Sequence, residues 1–285
     1  MAVLTDPRSA RVRSVRSLAG RSARSRHGRF LAEGPQAVRE AVAAHAAGPA
    51  AVVLELYATE EAAQRHPDVV GSALEHGVRT WTVTEAVLDA MTDTVTPQGL
   101  VAVCPTGTAA LEDVLAARPR LVALLDRVRD PGNAGTVLRA ADAAGADAVV
   151  LTTGSVDVFN PKCVRSTAGS LFHLPVVVGV PLADAVRALR GAGCTVLAAD
   201  GSGALDLDDL ADAAATGTGT GTPVDLRAPT AWLFGNEAAG LDDAGRAAAD
   251  AVVRVPLHGR AESLNLATAA VVCLYASARA QRRGR

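Results

Sequence analysis

Three short polar stretches follow apolar runs in the second half of this 285-residue sequence: RDPGNAGTVLR (129–139), FGNEAAGLD (234–242) and PLHGRAESLN (256–265). Each carries glycine, which lets backbone approach a ligand closely and adopt conformations closed to other residues. In parallel α/β sheets, ligands collect beyond the carboxyl ends of strands, so three such loops point to one shared binding site. A dinucleotide site fails on detail. Gly132-x-x-Gly135 is not Gly-x-Gly-x-x-Gly, and no acidic residue ends the next strand to hold a ribose. No phosphate loop with Gly-Lys-Ser/Thr occurs. His173 and His258 lie near these stretches without a spaced partner for a metal or a nucleophile to serve, so no metal is expected. The last stretch poses its own question. Glu262, Ser263 and Asn265 crowd the mouth of a helix that is apolar on almost every face, where Ser263 is expected as the N-cap.

The elements that must position these loops read as α/β. The strand RLVALLDRV has the continuous apolar pattern of a buried parallel sheet. Strands are also expected at ADAVVLTTG, LPVVVGV, CTVLAAD, TAWLFG and AVVRVPL, with helices between them and a buried helix at 263–280. Residues 206–229 contain the Gly/Thr tract ATGTGTGTP and read as a mobile surface loop. Ahead of this unit, residues 25–105 form a smaller α/β unit. It has a helix opened by Pro35, a helical stretch broken at Pro67, and strands ending in TPQGLVAVCP. Residues 106–118 read as a linker and 119–285 as the second domain.

The net charge of −2 hides an asymmetry. Residues 1–30 hold eight arginines against one acid, Asp6, and Lys162 is the one lysine of the chain. Residues 1–24 therefore read as a basic arm, either for a polyanion or merely solvated. No apolar segment follows the arginines as a targeting peptide requires, and no run reaches the ~18 residues of a membrane helix. Four scattered cysteines (Cys104, Cys163, Cys194, Cys273), with no Cys-x-x-Cys pair, support neither a disulfide framework nor zinc. They fit reduced thiols in the cytoplasm.

Together, NAGTVLRAADAAGADAVVL, LFGNEAAGL and VPLHGRAESLNLATAA resemble the three ordered motifs of the SpoU (TrmH-type) RNA ribose 2′-O-methyltransferases, of the SPOUT class. The intervening FNPKCVRSTAGSLFHLPV is similar to that family's connecting segment. RHGRFLAEGPQAV and TPQGLVAV are similar to its RNA-binding domain. The resemblance implies a trefoil-knotted parallel-sheet methyltransferase domain, preceded by a smaller α/β RNA-binding domain of ribosomal-protein-like fold. It also implies S-adenosylmethionine as cofactor and a homodimer across the last helix. Arg139 matches the family's catalytic arginine, as electrostatic stabiliser or as base. Asn133 and Glu237 match polar positions of the first two motifs, Glu237 pairing with Arg139 or orienting Asn133. Ser263 and Asn265 match the third. The cofactor would lie against Phe234, Gly235, Asn236, Val255, Pro256, Leu257, Ser263, Leu264 and Asn265, with Leu257 standing where a methionine is common. Arg165 matches a position associated with RNA phosphate, while Arg24, Arg26 and Arg29 are RNA candidates by clustering alone.

The reading that follows is methyl transfer to a ribose 2′-hydroxyl of RNA, ribosomal before transfer RNA. The rivals are a non-catalytic RNA-binding ribosome-assembly factor and a nucleotide-binding oxidoreductase.

Overall fold

A computed structural model describes residues 2–217 and 224–283. It divides into two compact units, Met1–Gly107 with Asp157–His173, and Thr108–Val156 with Leu174–Arg285.

The first unit is a five-stranded sheet covered on both faces. The strands β1 (Ala2–Leu4), β2 (Arg29–Glu33), β3 (Glu55–Thr59), β4 (Arg79–Val83) and β5 (Leu100–Pro105) lie in the order β1-β4-β3-β5-β2. Successive side chains alternate faces, as the pleat requires. Phe30, Ala32, Leu56, Ala58, Leu100 and Ala102 pack with α3 (Pro35–Ala47) and α5 (Pro67–Glu75). Leu31, Tyr57, Val101 and Val103 pack on the other face with α1 (Ala10–Ser17) and α6 (Glu85–Met91). Pro67 separates α4 (Glu60–Arg65) from α5, as the sequence requires.

Three expectations meet a different structure here. Residues 1–24 are not an arm. β1 pairs in parallel with β4, and Ser9 caps α1, its Oγ accepting the Val12 N–H at 3.3 Å. Val12, Val15 and Leu18, at helical spacing, enter the core, each worth roughly 1.5–3 kcal/mol. Chain clustering of arginines hid this apolar stripe. Arg24, on α2 (Arg21–His27), is 3% exposed, so its guanidinium is turned inward and not displayed on the surface. Its Nε and Nη2 donate to Asp157 Oδ2 at 3.1 and 2.7 Å, and its Nη1 to the carbonyls of Leu18 and Ala19. Arg26 and Arg29 are exposed. The segment 157–173, expected in the second domain, also packs in the first unit through α9 (Pro161–Thr167), whose Val164 joins the core with Phe30.

The second unit is a seven-stranded parallel sheet in the order β10-β12-β9-β11-β6-β7-β8. These are β6 (Leu121–Leu125), β7 (Ala148–Thr152), β8 (Val176–Val180), β9 (Thr195–Ala199), β10 (Leu205–Asp206), β11 (Thr230–Phe234) and β12 (Ala251–Arg254). β6, β7 and β11 are buried at every residue, which is why they read as continuous apolar runs. The expected linker is part of this core, since α7 (Leu111–Ala116) buries Leu111 and Val114 beside α10 (Leu182–Gly191). The expected 206–229 loop is also corrected. Residues Leu207–Thr216 form α11, capped by Asp206 and burying Leu207 and Leu210 against the last helix. The centre of the Gly/Thr tract, 218–223, lies outside the described residues.

The last helix, α13 (Leu266–Arg283), packs on α8 (Pro131–Ala144) and on the sheet. Trp232, fully buried on β11, has its indole N–H satisfied by Ser277 Oγ at 2.9 Å. Gln281 Nε2 donates to the Arg120 and Ala228 carbonyls, which ties the helix end to the strand edges. α13 begins three residues later than expected. Asn265, not Ser263, is the cap, its Oδ1 accepting the N–H groups of Ala267 and Thr268 at 2.9 and 3.3 Å.

Candidate active site

β6 and β11 lie side by side although far apart in sequence, so the loops after them meet at the carboxyl edge of the sheet. This is a topological switch point, where open α/β sheets form crevices. The turn after β6 enters α8 at Pro131, so Asn133 and Gly135 stand in its first turns and not in a loop. Asp130 caps the helix, its carboxylate accepting the Asn133 N–H at 2.8 Å.

Glu237 is the hub of the convergence. Its Oε2 accepts the Arg129 N–H at 3.1 Å and its Oε1 the Asp130 N–H at 3.0 Å. Oε1 also accepts from Asn133 Nδ2 at 3.4 Å, and Asn133 Oδ1 accepts from Asn265 Nδ2 at 3.0 Å. One chain of hydrogen bonds, Glu237–Asn133–Asn265, therefore joins all three polar stretches. Glu237 bonds Asn133 and makes no bond to Arg139 among the described residues. Asn236 fastens the same loop, donating to the Arg127 carbonyl at 2.9 Å and accepting from the Ala238 and Ala239 N–H groups.

Gly235 is glycine for a packing reason. A Cβ there would stand 2.4 Å from the Gly240 carbonyl carbon and oxygen, across the turn closed by the Asn236 and Gly240 backbones. Beneath the turn, buried Asp126 accepts from Thr152 Oγ1 at 2.8 Å and from Arg127 Nε at 2.9 Å. Arg127 reaches on to Asp242 at 2.8 Å, holding that carboxylate below the usual range.

The second and third polar stretches, with the end of β9, line a cleft of about 390 Å³; no residue of 129–139 lines it. Phe234, Gly235, Asn236, Val255, Leu257, Ser263 and Leu264, seven of the nine residues set against a cofactor by the resemblance, line it. Pro256 and Asn265 do not line it; Asn265 acts through Asn133 and as the helix cap. The sequence reading missed Asp200 and Gly201, which also line the cleft, although the AADG that ends the β9 run carries the same strand-then-glycine signal. Burial works to raise the Asp200 pKa, but the Ser202 hydroxyl and N–H and the Arg246 guanidinium outweigh it and hold the group below the usual carboxylate range.

Arg139 is placed apart. It follows Asn133 by six residues, about 240° around the helix. It is exposed, absent from the cleft lining, and without a hydrogen bond or ion pair among the described residues. Arg165 lies in the first unit, its Nη1 3.2 Å from Glu33 Oε2. His173 pairs with Glu40 at 3.1 Å. Among the described residues no group of three or more His, Cys, Asp or Glu side chains could hold a metal ion. All four cysteines are buried thiols outside any disulfide, and burial pushes Cys194 up to about 11 and Cys273 up to about 12.

Residues 120–275 match the model of the SpoU rRNA Methylase family, and residues 9–102 that of an MRM3-like substrate binding domain. The 23S rRNA (guanosine(2553)-2′-O)-methyltransferase RlmP of Bacillus subtilis (strain 168) is 34% identical over 278 residues, covering 96% of this chain and 98% of its own. The AdoMet-bound rRNA methyltransferase from Sinorhizobium meliloti superposes with a TM-score of 0.80 at 30% identity, with 97% of each chain covered. The SpoU methyltransferase AviRb from Streptomyces viridochromogenes, in complex with AdoMet, gives 0.76 at 32% identity, over 97% of this chain and 100% of that one. With its three polar stretches joined by hydrogen bonds and its family match spanning the whole second sheet, this chain belongs to the SpoU rRNA Methylase family.

Proposed function

We propose that this protein transfers a methyl group from S-adenosylmethionine to a ribose 2′-hydroxyl of ribosomal RNA, in the cytoplasm. The observation that carries the reading is the Glu237–Asn133–Asn265 chain at the rim of a cleft of cofactor size. The residues present fit the cofactor. Leu257, Leu264 and Leu266 offer apolar wall to an adenosine, and Asp200, Glu237 and Glu262 offer negative charge to a sulfonium. Residues 257–264 spend none of their backbone groups on a helix or sheet, so N–H and C=O groups remain for a base and a ribose. When bound, S-adenosylmethionine supplies an electrophilic methyl group. This chain's residues supply alignment, which in-line displacement needs more than elaborate acid–base chemistry. Ser263 lines the cleft and orients polar groups there, while Glu237, held by two backbone N–H groups, braces Asn133 behind it.

Arg139 completes the site from a second copy. It stays outside the cleft of its own chain, on an exposed stripe of α8 with Thr136. Tyr275 on α13 abuts the same stripe, its hydroxyl bonding the Ala143 carbonyl at 3.4 Å. On the same helix Val271, Val272 and Tyr275 are 37%, 38% and 47% exposed, an apolar stretch of its outer face. A homodimer across this face buries those side chains and brings Arg139 to the partner's RNA. An arginine stays protonated, so its role is to hold phosphate and stabilise the developing alkoxide.

A knotted C-terminal segment belongs to the same reading, with α13 packed on α8, α11 and the sheet. The first unit's layered α/β sandwich supports an RNA-binding domain of ribosomal-protein-like fold.

The test is methyl transfer from labelled S-adenosylmethionine to 23S rRNA, with mapping of the 2′-O-methyl position. No incorporation into any ribosomal RNA, with cofactor bound, favours the non-catalytic assembly factor. Mixing Arg139→Ala with Asn265→Ala protomers should restore activity that neither has alone, because only the mixed dimer holds one intact site. A monomeric enzyme with full activity would exclude the shared site.

A further inference from the structure

Glu33 ends β2 and is 8% exposed, yet only one of its oxygens is used. Oε2 accepts from the Thr94 hydroxyl and from Arg165 Nη1 at 3.2 Å. Oε1 has no hydrogen-bond partner among the described residues. A buried carboxylate oxygen left without a donor is costly. This one belongs to a side chain that lines a cavity of about 190 Å³ within the first unit, with Thr94, Thr96, Gln98 and Arg165 around it. The residue after Gln98 has to be glycine. Gly99 has φ +84°, and a Cβ there would stand 2.4 Å from the Ala62 Cβ.

The wall of the cavity thus contains one buried acceptor without a donor, with amide and guanidinium donors close by. That pattern complements the amino edge of a nucleobase, where an exocyclic N–H₂ sits beside a ring nitrogen or carbonyl acceptor. Uracil fits poorly, since its one ring N–H lies between two carbonyl oxygens that a carboxylate repels. Unpaired bases of RNA loops are commonly splayed out of their stack into protein pockets. We propose that this cavity receives one unstacked amino-bearing nucleobase of RNA, its amino group donating to Glu33 Oε1. The inference rests on the RNA-substrate reading above. It concerns a base held by the first unit and not the ribose that is methylated.

Isotope-labelled full-length protein titrated with AMP, CMP, GMP, UMP and inorganic phosphate, with amide shifts followed by NMR, tests it. A single-stranded RNA oligonucleotide, with and without amino-bearing bases, separates capture of a free nucleotide from capture within RNA. The amides of Thr94, Thr96 and Gln98 should move with AMP, CMP or GMP and not with UMP or phosphate. Glu33→Gln should weaken that binding roughly tenfold or more, the loss of one bond to a charged acceptor. Gln98→Ala, an exposed residue outside the ion pair, should weaken it without lowering Tm. An equal response to all four nucleotides or to phosphate alone, no response at all, or full affinity in both variants overturns the proposal. Base binding without methyl transfer would strike the enzymatic reading alone, and methyl transfer without base binding would strike this one alone.

Discussion

In the first unit, Arg24 gives its Nε and both terminal nitrogens to Asp157 and to two carbonyls, and is buried. In the second unit, Arg139 gives none and is exposed. The first guanidinium is consumed in joining α2 to the 157–173 segment of its own unit. The second is held at the surface on a helix whose first turn is locked by Asp130 and Glu237. The contrast teaches that arginine clustering says little about where nucleic acid binds. What matters is whether the local fold has already spent the donors.

Substitution should separate the two uses. Arg139→Ala should lower methyl transfer by about two to three orders of magnitude, as removal of a transition-state donor does. Its stability should stay within about 0.5 kcal/mol of the parent, as for an exposed side chain. Single-turnover rates beside urea melts would check both halves, and near-normal turnover would remove Arg139 from the mechanism. Arg24→Ala should do the reverse, costing about 3 kcal/mol because Asp157 is left half-buried without its cation. RNA affinity, measured well below the melting range, should barely change. For the same reason, deleting residues 1–26 should unfold the first unit and not merely flatten the salt dependence of RNA binding, since Val12, Val15 and Leu18 leave the core with it.

Val272→Glu sharpens the comparison at the proposed dimer face. A carboxylate forced into an apolar interface should weaken association by about tenfold to a hundredfold, with activity falling in parallel. Sedimentation over a concentration series reads this directly, and an unaltered dimer would move the interface elsewhere. Asn265→Ala should cost about 1 kcal/mol through loss of the α13 cap. Because Asn133 loses its partner as well, turnover should fall by more than the stability loss explains.

The smallest effect concerns pH. Folding lowers the pKa of Asp200, so its stabilisation is present above the ordinary carboxylate range and is lost as pH falls through the depressed folded value. Urea midpoints taken from about pH 6 to about pH 3 should show a shallower decline in Asp200→Asn than in the parent. Parallel declines would mean that the carboxylate contributes nothing to acid sensitivity.

The buried parallel strands, the punctuation by Pro35 and Pro67, and the polar residues of the three loops were legible because each is a local signal. Apolar runs, turn residues and motif order are written in consecutive positions. The same local reading failed where a segment's role depends on a partner far away in sequence. The helical stripe Val12–Val15–Leu18 was masked by the arginines between its members. Helix α6 went unread, although Thr84 caps it through the Val87 N–H. Asp206 and two leucines make a helix of half the stretch that its Gly/Thr tract marked as a loop.

By itself, then, the sequence determined two α/β units, a parallel second sheet, and which residue types crowd its loops. The tertiary structure alone decided what those residues do. Side-by-side pairing of β6 and β11 puts Glu237 over the Asp130 and Arg129 N–H groups, 107 and 108 residues away in the chain. Asn265 becomes both helix cap and brace for Asn133, and Arg139 is turned out of the cleft that its motif helps to build. The physical reason is directional. A hydrogen bond needs its partner within about 3 Å and well aligned, and residue type and spacing do not specify which distant atom the fold will bring there.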